Sequence, residues 1–74
     1  MYWLRKDTKK IFGYEKIESN FEQDILACKI KNLTLKLGTF LPKANTIRDQ
    51  FIDATNEHNR MLKTLLDRGY ILVN

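Results

Sequence analysis

In the second half of the chain, Ile47, Phe51, Ala54, His58, Met61 and Leu65 recur at spacings of 4, 3, 4, 3 and 4, with Leu62 beside them. At 100° per residue these positions fall in a stripe about 100° wide, which predicts an amphipathic helix from about Asn45 to Arg68. Thr46 with Asp49 three residues on forms a weak capping box, and Asn45 is an alternative cap. Gly69 follows the last periodic residue and suits the left-handed position beyond a helix end. Tyr70-Ile71-Leu72-Val73 then reads as a short strand.

The middle of the chain repeats the pattern. Leu26, Ile30, Leu33 and Leu37 are spaced 4, 3 and 4, with Gly38 as a stop and Pro42 just beyond. A helix from about Asn20 to Leu37 follows, capped by Ser19 or Asn20. The alternation in "LTLKLGTF" offers a second reading, a shorter helix followed by a strand over Leu33–Leu37. The helical reading creates another apolar patch, Phe21, Ile25, Cys28 and Leu35, roughly opposite the leucine stripe. A helix apolar on two faces is buried on two faces, here by the second helix and by the sheet or another subunit. Leu37–Asn45 is a connection between elements.

The start reads as a β-hairpin. Tyr2–Arg5 and Ile11–Tyr14 are β-prone, and Lys6–Lys10 contains the turn, although no Asn-Gly or Asp-Gly marks it. An isolated hairpin is marginal in water, so it should pack on the helices and take the terminal strand as a third. The expected architecture is one small α+β domain, residues 1–74, in the order β-β-α-α-β, with the helices folded as an antiparallel hairpin.

Composition narrows the function classes. The 74 residues, 43% hydrophobic and 30% charged, suit a folded domain with a small core. Cys28 is the only cysteine, which rules out an intramolecular disulfide. The apolar runs are too short to span a membrane, and Arg5 and Lys6 interrupt any secretory signal, so a reducing cytoplasmic setting is expected. No glycine-rich phosphate loop, carboxylate pair or nucleophile elbow occurs, and no catalytic, cofactor or metal residues are assigned. His58 lies in the apolar stripe as a packed core residue, turned away from Asp53 and Glu57. Cys28 lies away from the stripe that holds His58, the sole histidine, which argues against a thiol nucleophile.

The net charge of +4 is unevenly spread. Arg5, Lys6, Lys9 and Lys10 face only Asp7 in the first ten residues. Between Asp24 and Asp49 the chain carries Lys29, Lys31, Lys36, Lys43 and Arg48 and no acidic residue. These nine are the candidate phosphate contacts. In an antiparallel helical hairpin the same charges would instead complement one another: the basic end of the first helix lies beside Asp49, Asp53 and Glu57, its acidic start beside Arg60, Lys63 and Arg68. "LLDRGYILV" resembles the passage from recognition helix to wing in winged-helix domains, which implies DNA binding. A wing needs two strands, and here the N-terminal hairpin would have to complete it.

The leading expectation is a non-enzymatic protein-interaction or regulatory module that self-associates or binds another protein. Its candidate interface is Phe21, Ile25, Cys28 and Leu35 on the first helix, with Ile52 and Leu66 outside the main stripe of the second. The alternative is a small basic nucleic-acid-binding regulator of the compact kind found in phages and mobile elements. Neither reading involves a cofactor, a small-molecule substrate or a membrane.

Overall fold

A computed structural model describes residues 1–74. It contains β1 (Tyr2–Arg5), β2 (Lys10–Gly13), α1 (Glu22–Leu37), α2 (Ile47–Asp67) and β3 (Tyr70–Val73). The α+β class and the β-β-α-α-β order are those the sequence predicts. Residues 33–37 are helical, so the strand alternative there is not what forms. The second strand begins at Lys10, one residue earlier than its apolar run.

The hairpin turns without an Asn-Gly pair because Lys9 takes the left-handed conformation, with φ 61°. Its N–H donates to the Arg5 carbonyl at 2.8 Å. Asp7 Oδ1 accepts from the Thr8 N–H at 2.8 Å and pairs with Arg5 Nε at 2.9 Å, which fixes the rest of the loop. The Thr46 side chain caps α2, accepting the Asp49 N–H at 3.1 Å. Neither Ser19 nor Asn20 caps α1. Phe21 is the N-cap and its side chain makes no capping bond. Ser19 Oγ instead accepts the Phe21 N–H and donates to Asp24, both at 3.0 Å. Gly38 (φ 91°) and Gly69 (φ 86°) end the two helices where only glycine is unstrained.

The strands form one antiparallel sheet in the order β2-β1-β3. Trp3 lies opposite Phe12 and Leu72, and Leu4 opposite Ile11 and Ile71. Directly opposed residues share a face. Trp3, Phe12 and Tyr70 therefore look toward the helices, and Tyr2, Leu4, Ile11, Ile71 and Val73 look away from them.

Both helices lie on the Trp3 side, α1 against β2 and α2 against β3. Their mutual direction corrects the expected antiparallel arrangement. Lys29 Nζ donates to Thr55 Oγ1 at 2.9 Å and sits 4.7 Å above the Phe51 ring. Phe21–Asp24 share a hollow with Ile47 at the start of α2, while Lys36 and Leu37 share a groove with Arg60 and Thr64. The two N-termini thus lie together and the helices run side by side in the same direction. The Lys29 contact lies near the middle of both helices and suits either direction, but an antiparallel pair would set Leu37 beside Ile47 and Phe21 toward the end of α2, the reverse of these groupings. The return is feasible because residues 38–46, drawn out at ~3.3 Å each, reach ~30 Å. The segment of α2 they run beside, Ile47 to Met61, rises only ~21 Å. Phe40 in this segment packs on the core, and Gln50 Nε2 donates to the Ala44 carbonyl at 3.0 Å.

The core comprises Trp3, Leu33, Met61, Leu65 and Tyr70, with Phe12, Tyr14, Phe40 and Leu62 packed against it. Ala54, fully buried, belongs to the same stripe of α2 as Met61 and Leu65.

Candidate interaction surface

The outer face of the sheet is the main surface that no other element covers. Tyr2 and Leu4 on the central strand, Ile11 on β2, and Ile71 and Val73 on β3 make it wholly apolar. Ile11 is 60% and Ile71 41% exposed. No helix or strand packs on this side. The signal for it was in the sequence: "YWLR" and "YILV" are apolar at nearly every position, whereas a sheet with one wet face alternates.

The six interface residues expected on the helices do not form one patch. Cys28 is turned inward onto the segment that joins β2 to α1, its Sγ donating to the Glu15 carbonyl at 3.4 Å. Ile25 is half-buried. Phe21 is 74% exposed at the start of α1. Leu35 leans on the β2 edge, where a Cβ added at Gly13 would lie 3.7 Å from its Cδ1. Ile52 and Leu66 are exposed on α2, but fourteen residues of helix separate them by ~21 Å.

The nine basic candidates are similarly dispersed. Arg5 pairs with Asp7, and Lys31 with Glu15 at 3.0 Å. Lys29 is taken up by Thr55 and Phe51, and Lys36 Nζ lies 5.0 Å above the Phe12 ring. Lys6, Lys9 and Lys10 project from the hairpin, whereas Lys43 and Arg48 flank the start of α2, at the other end of a molecule 41 Å long. No ion pair joins the two helices. The third pair, Arg60 with Glu57 at 2.7 Å, lies within α2. The interhelical charge complementarity expected of an antiparallel pair is lost with that geometry.

Two buried polar groups lie beneath these surfaces. Asn32, which the leucine spacing does not single out, is 1% exposed. Its Oδ1 accepts the Glu15 N–H at 2.7 Å and its Nδ2 donates to the Glu15 carbonyl at 2.9 Å. One side chain thus satisfies a whole residue of the β2–α1 connection. His58 is 3% exposed, with its ring 6.1 Å from that of Tyr14 and no partner for Nε2. Burial, reinforced by Lys29, lowers its pKa, so the ring is held neutral. The Cys28 thiol is pushed up by burial and by Glu15, which favours the unreactive form. Cys28 and His58 are not bonded to each other. No three His, Cys, Asp or Glu side chains gather closely enough to hold a metal ion.

Between the helices lies a shallow groove of about 170 Å³ lined by Leu33, Leu37, Met61 and Thr64, together with Lys36, Glu57 and Arg60. No helix is long and apolar enough to cross a membrane. Comparison with known proteins finds no matching family, no matching curated protein and no matching solved structure.

Proposed function

We propose that this chain is a small, non-enzymatic protein-interaction module that works by self-association in a reducing, cytoplasmic setting. The observation that carries the reading is the outer sheet face: five apolar side chains on three paired strands, with no charge among them and no element over them. A contiguous apolar face costs free energy in water at ~25 cal/mol per Å², which a protein partner removes by covering it. The basic residues give less support to the nucleic-acid alternative, because four of the nine are engaged within the molecule and the others divide between its two ends.

The test is light scattering across a concentration series, at low and high salt, with and without nucleic acid. Wild type should show a mass above that of one chain at high micromolar concentration, and Ile71→Lys should weaken that association. Strictly monomeric behaviour throughout would refute self-association. Binding to nucleic acid that falls steeply with salt, and vanishes on charge reversal of Lys9 and Lys10, would favour the alternative.

A further inference from the structure

The sheet has two edges, and they differ. The β2 edge is guarded: Lys10 stands on it, Lys9 precedes it, Gly13 interrupts it, and Leu35 and Lys36 of α1 lean on Gly13 and Phe12. The β3 edge, Tyr70-Ile71-Leu72-Val73, has no charge, proline, glycine or bulge, and it pairs only with β1. In an antiparallel pair alternate residues turn their N–H and C=O groups away from the partner, so half of the β3 backbone is an unpaired template for another strand.

From this edge we infer that a second copy of the chain adds across β3, joining two sheets into one of six strands in the order β2-β1-β3-β3-β1-β2. The inference rests on the self-association reading and places the contact at the β3 border of the apolar outer face, leaving the rest of that face open. An antiparallel pairing of β3 with itself is closed by a two-fold axis normal to the sheet, so both copies keep their helices on the same side and nothing further can add at that edge. The axis also requires opposed residues to share a face. Centred on Leu72, it sets Ile71 beside Val73 of the other copy on the outer face, and the two Leu72 side chains together on the helix face. Leu72, 40% exposed although it points toward the helices, is thereby covered.

The size of the molecule agrees. A compact monomer of 8.8 kDa exposes about 4,800 Å² by the usual scaling, whereas this chain exposes 5362 Å². The excess of about 600 Å² is of the order of the ~800 Å² each partner contributes to a standard interface. The radius of gyration of 12.7 Å likewise exceeds the ~11 Å of a compact chain of this length.

Light scattering on three proteins at high micromolar concentration decides the matter: wild type, Leu72→Lys, and the double variant Phe21→Lys with Leu66→Lys. The expected result is a mass of two chains for wild type and for the helix variant, and of one chain for Leu72→Lys with its circular dichroism retained. A dimer that survives in Leu72→Lys, whether or not the helix variant loses it, overturns the inference and leaves self-association standing. A monomeric wild type overturns both. Should Leu72→Lys fail to fold, amide exchange of wild type decides instead. Protection of the Leu72 amide, which faces away from β1, that rises with protein concentration supports the pairing, and protection there independent of concentration refutes it.

Discussion

Replacing Asn32 by alanine tests how the β2–α1 connection is held. The side chain makes two bonds to one residue, at 2.7 and 2.9 Å, from a position 1% exposed. Alanine leaves the Glu15 N–H and C=O without these partners. Two neutral bonds are worth ~1 kcal/mol each in net terms, and a polar group left buried and unpaired costs ~1–3 kcal/mol. Glu15 itself is exposed, so water can reach part of what is released. The expected loss is therefore about 2–4 kcal/mol, against a total stability of only ~4–11 kcal/mol for a chain of this length at ~0.05–0.15 kcal/mol per residue. Asn32→Asp provides the sharper comparison. It can still accept the Glu15 N–H but turns an oxygen toward the Glu15 carbonyl, so it should be at least as damaging as alanine at neutral pH and should recover partly in acid. Urea unfolding measures both, with the slope checked so that a change in midpoint can be read as a change in stability. A value for Asn32→Ala within ~0.5 kcal/mol of wild type, the range of ordinary surface changes, would refute the clamp.

Three further outcomes follow from local features. The buried His58 has a folded pKa below its unfolded value of about 6.5, so the unfolded chain binds the extra proton first; stability should be complete above that pH and fall beneath it by up to about 1.4 kcal/mol per unit, until the folded pKa is reached. Subtracting the pH profile of His58→Phe isolates this contribution, and identical profiles refute it. Lys9→Gly should raise stability by ~0.5–1 kcal/mol in urea unfolding, because glycine removes the strain at φ 61°; a loss would mean that the lysine side chain matters more than its backbone. Cys28 should react with iodoacetamide at pH 8 more slowly than cysteine in an unfolded peptide, since burial and Glu15 raise its pKa and its Sγ faces the Glu15 carbonyl.

How much of this was legible before the structure depends on the kind of signal. The α2 stripe and its Thr46 cap were, because helical period and capping are local properties of consecutive residues. Leu33–Leu37 was harder: "LTLKL" fits both periods, and the helix prevails because Leu33 is buried in the core and the Thr34 hydroxyl donates back to the Ile30 carbonyl at 2.9 Å. The direction of the helix pair was not legible. A nine-residue connection is compatible with a hairpin or with a full-length return, and the choice rests on where Phe40 and Gln50 find partners. Asn32 was missed for a related reason: its partner is seventeen residues away and is a backbone group, which no side-chain pattern announces. Of the candidate surfaces, Phe21, Ile52 and Leu66 were rightly read as outside the core stripes. Whether such residues form one patch is a question of tertiary distance.

The direction of the helices also changes the meaning of the basic segments. A parallel pair places two negative helix ends on the same side of the molecule, where an antiparallel pair would have offset each with a positive one. Lys36 stands in the last turn of α1, with its ammonium over Phe12 on the adjoining strand, and Arg68 is the C-cap of α2. Tyr70, two residues beyond Arg68, lies opposite Arg5, which in turn lies opposite Lys10. The hairpin's positive charge is thus carried by the sheet toward the end at which both helices finish. Complementing a helix end is worth ~0.3–1 kcal/mol at an exposed site, and the effect is screened by salt. A basic cluster at that end is therefore accounted for by the fold itself, with no phosphate required. What the charges leave unexplained is the apolar outer face, on which neither helix lies, and that asymmetry is why the functional reading rests on the sheet and not on the lysines.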